Sequence, residues 1–238
     1  MKERLIFALD VDNFDDARQW VKLLSAEVGM FKVGKQLFTR CGPDVVKMIR
    51  DEGGGVFLDL KYHDIPNTVA KACIEAARLG VQMFNVHALG GATMMRTMVD
   101  EVRATAMAEG FDVPIMLAVT ILTSSSESDL RAVGIDRPVV EMVPLLAGLT
   151  QQAGLTGVVA SAQELPLIRQ ACGDDFVVVT PGVRPASAAQ DDQQRVMTPA
   201  RAIEVGADYL VVGRPISKAE DPVAAARAIV AEMSEGSA

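Results

Sequence analysis

Two charged residues stand inside a run that otherwise reads as a buried strand. In Val56-Phe57-Leu58-Asp59-Leu60-Lys61 the leading residues are apolar, and the strand period of two sets Asp59 and Lys61 on one face with Leu60 on the other. Asp64 follows just past the strand end, so one terminus gathers an acid, a base and a second acid. Lys32 lies within another apolar run, Met30 to Gly34. Lys32, Asp59, Lys61 and Asp64 make a row of alternating sign that offers a fixed negative charge beside a proton donor. An Asp-x-Lys taken alone is commonly a surface salt bridge worth about 1 kcal/mol or less. Around one small mouth, however, several ions are costly to desolvate unless they pair, and structure alone gives little reason to retain them.

The chain alternates strand and helix around these residues. Leu5 to Asp10 is a short apolar run ending on an acid, and Phe14 to Val28 repeats apolar residues at helical spacing behind the capping candidates Asp12 and Asn13. Met30 to Gly34 is the second strand, followed by a helix that Pro43 opens and Gly53-Gly54-Gly55 closes. After the third strand, Val56 to Lys61, the residues Ile65-Pro66-Asn67-Thr68 read as a turn in which Asn67 or Thr68 caps a helix running to Leu79. Further strands are expected at Val81–His87, Val113–Thr120, Gly157–Ala160, Phe176–Thr180 and Tyr209–Val212. Helices fill the intervals, two of them between Glu127 and Ala153, and Pro222 opens the last. Eight strands, each followed by helix and with no linker-like stretch, predict an α/β protein: a single-domain (β/α)8 TIM barrel over residues 1–238. A doubly wound sheet would use fewer strands at this length, and no G-x-G-x-x-G follows the first strand.

In such barrels the active site lies at the C-terminal strand ends, and the polar residues of this chain gather there. Asp10, Lys32, Asp59, Lys61, Asn85 and His87 end the first four strands, while Thr120, Thr123 and Ser161 follow the fifth and sixth. The loops after strands seven and eight carry Pro181-Gly182-Val183-Arg184 and Gly213-Arg214-Pro215. Barrels commonly bind phosphate at these two loops through glycine N–H groups and a helix N-terminus, and here each adds an arginine fork. Residues 183–195 are long and polar, as a lid over a phosphate ligand would be.

A net charge of −8 speaks against nucleic acid or an anionic membrane as partner, so an anionic ligand must be small and met by a local basic pocket. Cys41, Cys73 and Cys172 are odd in number and widely spaced, which fits a reducing compartment and supports neither a disulfide framework nor zinc. The first apolar run is too short for a signal peptide and no segment reaches membrane-spanning length, so a cytoplasmic protein is expected. His63 and His87 have no partners at metal-ligand spacing and read as structural. Tyr62 is expected to point outward, and Met94, Met95 and Met98 to fill core gaps.

The run Asp59-Leu60-Lys61-Tyr62-His63-Asp64-Ile65-Pro66-Asn67-Thr68 closely resembles the signature of the orotidine 5′-monophosphate decarboxylase family. The resemblance extends to Phe7-Ala8-Leu9-Asp10, Phe31-Lys32-Val33-Gly34, Asn85-Val86-His87-Ala88, Leu122-Thr123-Ser124, Thr180-Pro181-Gly182-Val183-Arg184 and Val211-Val212-Gly213-Arg214. It implies cofactor-free decarboxylation of orotidine 5′-monophosphate to uridine 5′-monophosphate, a step of pyrimidine synthesis. By the same resemblance Lys61 stabilises the carbanion and protonates it, Asp59 lies near the substrate carboxylate, and Lys32 binds the ribose and orients Asp59. Asp10 takes a ribose hydroxyl, Thr123 helps to read the pyrimidine, and Pro181 lines the substrate. Arg184, Gly213 and Arg214 hold the phosphate. Gln193, chosen over Gln194 for the spacing of Asp192-Gln193-Gln194-Arg195, bridges base and phosphate. Asp64, Ile65 and Thr68 are implied to enter the site of the neighbouring subunit of a homodimer. The D-x-K-x-x-D core is shared in part with related barrels. That leaves a metal-dependent sugar-phosphate decarboxylase, synthase or epimerase, and a non-enzymatic nucleotide-binding module, as alternatives.

Overall fold

Eight parallel strands pair in sequence order, and the last returns to the first to close a barrel. The computed structural model describes residues 1–185 and 197–237. Its first half runs β1 (Leu5–Ala8), α1 (Phe14–Leu24), β2 (Met30–Gly34), α2 (Lys35–Cys41), α3 (Asp44–Asp51), β3 (Gly55–Tyr62), α4 (Pro66–Arg78), β4 (Met83–His87) and α5 (Gly91–Glu109). The second half runs β5 (Ile115–Val119), α6 (Glu127–Ala132), α7 (Val139–Gln152), β6 (Gly157–Val159), α8 (Leu165–Cys172), β7 (Val177–Pro181), α9 (Pro199–Glu204), β8 (Tyr209–Val212), α10 (Arg214–Ser217) and α11 (Pro222–Glu235). The expected (β/α)8 barrel is thus the observed architecture. No helix among the described residues is long and apolar enough to cross a membrane.

Strand alternation divides the core in two. Inward residues, among them Ile6, Met30, Phe57, Met83, Leu117 and Val179, plug the barrel, while the outward residues pack under the helices. Met94, Met95 and Met98 lie in that outer layer, each at most 1% exposed, as the helical spacing suggested. Tyr62 likewise packs outward, beside Cys73 of α4. Toward the mouth the inward set changes character: Met30, Phe57 and Met83 are succeeded two residues on by Lys32, Asp59 and Asn85. The plug therefore ends where the charges begin.

Several local expectations are corrected. The helix after β3 begins at Pro66 with Ile65 as its cap residue, rather than with Asn67 or Thr68, because proline carries its own helical φ and has no N–H to satisfy. Asn13, by contrast, does cap α1, accepting from the Asp16 N–H at 2.9 Å. Two helices, α2 and α10, were not anticipated; they span 7 and 4 residues, too short for an apolar period to show. β1 stops at Ala8, so Asp10 sits in the loop beyond it.

The largest departure lies in β3. Phe57 and Leu58 pair with Met83 and Phe84, and the next partners are Tyr62 and Val86. Asp59, Leu60 and Lys61 therefore stand opposite the single residue Asn85, a bulge that strict alternation does not foresee. Lys61 has φ +52°, alone among the described non-glycine residues in the left-handed region. That conformation costs an L-residue roughly 1–2 kcal/mol and is found where surrounding structure enforces it.

Candidate active site

At the mouth of the barrel four side chains form a continuous ionic row. The Lys32 ammonium, on the middle residue of β2, is 3.0 Å from Asp10 Oδ1 and 3.8 Å from Asp59 Oδ2. Asp59 Oδ1 lies 2.5 Å from the Lys61 ammonium. The Lys32 and Asp59 side chains are each 13% exposed and Lys61 25%, whereas Asp10 is 69% exposed, so three of the four charges are largely withdrawn from water and lie against opposite charge. Burial acts to raise the Asp59 pKa, but the charges of Lys61 and Lys32, with hydrogen bonds from Lys61 and Asn85, hold the carboxyl below its usual range.

The composition of the row differs from the expected one at both ends. Asp10 joins it beside Lys32, in space kept open by Gly34, where an added Cβ would come within 3.2 Å of the Lys32 ammonium. Asp64 does not: it is exposed, accepts a hydrogen bond from the Ile65 N–H at 2.6 Å, and no salt bridge among the described residues joins it to Lys61. Ile65, 66% exposed, and Thr68 also face outward on the same rim.

A groove is lined by Asp10, Lys32, Gly34, Asp59 and Lys61, and a second cavity by Thr123, Ser124, Ser161, Pro181 and Gly182. Arg184 and Arg214 leave the ends of β7 and β8, which pair through Pro181 and Val211. β8 in turn pairs with β1, and a Cβ at Gly213 would lie 3.9 Å from Asp10 Oδ2. The Arg184 N–H donates to the Met197 carbonyl at 3.2 Å, tying together the two ends of the segment between them. Gln193, and most of the expected lid over 183–195, lie outside the described residues. Ser161 serves locally, its N–H donating to Glu164 Oε2 at 3.1 Å ahead of α8.

His63 and His87 stack on each other with ring centroids 5.5 Å apart. Burial first, then the nearby charges of His63, Lys61 and Lys35, pushes the His87 pKa down. Among the described residues no group of three or more His, Cys, Asp or Glu side chains converges as metal ligands would.

A charged row at the strand ends of a parallel barrel, with two arginine-bearing loops beside it, can be compared with known proteins. The model of the orotidine 5′-phosphate decarboxylase / HUMPS family matches residues 3–229. The chain belongs to this family. An orotidine 5′-phosphate decarboxylase of Syntrophotalea carbinolica is 66% identical over 233 residues, 98% of this chain and 95% of that protein. One from Geotalea daltonii is 61% identical, covering 99% of this chain and 98% of its own. Among solved structures, orotidine 5′-phosphate decarboxylase from Lactobacillus acidophilus superposes with a TM-score of 0.85 at 42% identity, over 96% of this chain and 98% of that one.

The structure brings Lys32, Asp59 and Lys61 together as the sequence grouped them, and it adds Asn85, which the sequence placed at the same strand ends without a part in the cluster. Asn85 is wholly buried and touches both catalytic candidates of β3. The available signal was an amide in the run Met83-Phe84-Asn85-Val86-His87 with the inward parity of Met83.

Proposed function

We propose that the protein decarboxylates orotidine 5′-monophosphate to uridine 5′-monophosphate and CO2 without a cofactor. The observation that carries this reading is the Lys61 ammonium held at 2.5 Å on the buried Asp59 carboxylate, at the centre of the mouth. Loss of CO2 breaks the bond between C6 of the pyrimidine and its carboxyl carbon and leaves the electron pair on C6. The Lys61 ammonium stabilises that pair and then transfers its proton to C6, and solvent returns a proton to the amine. Preorganised charge in a site closed to water is the strongest device available for such a step. Asp59 lies by the departing carboxylate and aims Lys61.

From phosphate through ribose to the reacting carbon, the assigned residues follow β7 and β8 round to β1, β2 and β3. Phosphate is assigned to Arg184, Gly213 and Arg214 after β7 and β8, and ribose to Asp10 and Lys32 on the adjoining β1 and β2 side. The reacting end of the base falls to Asp59 and Lys61 on β3, while Thr123 and Pro181, lining one cavity, receive its far edge. Gln193 is assigned to join base and phosphate from the 183–195 lid. Asp64, Ile65 and Thr68 are assigned to the site of a second copy in a homodimer, which accords with their exposure in the single chain. A cytoplasmic location accords with the three free cysteines.

The test is to supply orotidine 5′-monophosphate in the presence of a metal chelator. Stoichiometric CO2 and uridine 5′-monophosphate are expected, and a protein that consumes no substrate would reject the proposal. A second expectation concerns the remote phosphate, whose binding energy is available to organise the site. Saturating orotidine, which lacks the phosphate, should turn over at least about 100-fold more slowly, not merely bind more weakly. Equal turnover numbers for the two substrates would show that the phosphate contributes to binding alone.

A further inference from the structure

Where β3 bulges away from β4, Lys61 falls between the paired positions of the ladder, and its N–H meets a side chain. This N–H donates to Asn85 Oδ1 at 2.8 Å, while Asn85 Nδ2 donates to Asp59 Oδ1 at 2.7 Å. The same carboxylate oxygen receives the Lys61 ammonium. One side chain, 0% exposed, thus closes a ring through the backbone of Lys61 and the side chain of Asp59.

The chemistry of this ring requires a side chain that both accepts and donates. Lys61 presents an N–H, which needs an acceptor, and Asp59 presents a carboxylate, which needs a donor; the two ends of the asparagine amide meet both demands without a change of protonation. An aliphatic residue would leave a buried N–H without a partner, and an ionised aspartate would repel Asp59. The left-handed backbone of Lys61, found at no other described non-glycine residue, is the conformation this anchor accompanies.

We infer that Asn85 is a positioning residue for the reaction, its amide fixing the Lys61 backbone and the Asp59 carboxylate in register so that the Lys61 ammonium meets the reacting carbon. The inference rests on the decarboxylation proposed above. Asn85 acts through its neighbours: the ionisable groups around it are Asp59 and Lys61 on β3, Lys32 on β2 through Asp59, and His87 two residues along β4. The paired face of β5, Ile115–Val119, adds none.

The experiment measures kcat and KM on orotidine 5′-monophosphate across pH for wild type, Asn85→Ala and Asn85→Asp, with thermal unfolding of each. Asn85→Ala should lose about 100-fold in kcat, the scale of a misplaced catalytic group. Its KM should stay within about threefold, because the groups assigned to ribose and phosphate are untouched. Asn85→Asp should gain activity as the pH falls, in a range where wild type does not. A protonated carboxyl can donate to Asp59 and accept from Lys61 as the amide does, whereas the ionised form opposes Asp59. A folded Asn85→Ala with wild-type kcat, or an Asn85→Asp profile parallel to that of wild type, would overturn the inference. If Asn85→Ala does not unfold cooperatively, the Asn85→Asp profile decides. No turnover by wild type would overturn the underlying activity first, a result distinct from wild-type turnover with an unimpaired Asn85→Ala.

Discussion

Replacing Lys61 by alanine is expected to lower turnover of orotidine 5′-monophosphate by about 10⁴-fold or more, equivalent to about 5 kcal/mol of transition-state stabilisation. The substitution removes both the charge facing the developing carbanion and the proton that ends the reaction. It also leaves Asp59 with Lys32, at 3.8 Å, as its remaining cation in the row. Steady-state decay of substrate absorbance measures the loss. A companion variant separates chemistry from folding. Alanine inherits the left-handed backbone at φ +52°, whereas glycine adopts it without a Cβ clash, so Lys61→Gly should be more stable than Lys61→Ala by about 1 kcal/mol. Both variants should be inactive, with the glycine form unfolding at the higher temperature. Activity within tenfold of wild type in either would remove Lys61 from the chemistry.

Two inactive proteins should also repair each other. In the single chain Asp64 stands on the rim, away from the row that Lys61 closes, and Ile65 beside it is an exposed apolar residue. If Asp64 completes the row of a second copy, Lys61→Ala and Asp64→Ala each destroy both sites of their own homodimer. A heterodimer then holds one site with both defects and one with neither. Free exchange of subunits gives half heterodimers, so a mixture should regain about a quarter of wild-type activity. The measurement is turnover of the mixture after exchange, followed with differently tagged chains. Demonstrated heterodimers with no recovered activity would place Asp64 in the site of its own chain.

The barrel could be read from the sequence because each strand is a short apolar run and each is followed by helix-compatible spacing. Lys32, Asp59 and Lys61 were legible for a related reason: charges seldom occupy such runs, and three of them shared the inward parity and the mouth end. The features that escaped are those that depend on counting residues across two strands. Period-two alternation cannot register that Asp59, Leu60 and Lys61 lie opposite one residue of β4, and so it could not supply the left-handed Lys61 or the amide that anchors it. Asp10 as an end of the ionic row was hidden because it lies in the loop past β1, and its approach to Lys32 follows from the pairing of Ala8 with Lys32 across β1 and β2. Asp64 reads as one more member of the same row, since its distance along the chain is small. Only the turn into Pro66 carries it outward.

The most direct test is a crystal structure with uridine 5′-monophosphate bound. The Lys61 ammonium is expected within about 3–3.5 Å of C6, the carbon from which CO2 departs, with the phosphate on Arg184 and Arg214. A pyrimidine seated with C6 turned away from Lys61, or a phosphate bound elsewhere than the β7 and β8 loops, would contradict the roles assigned to these residues.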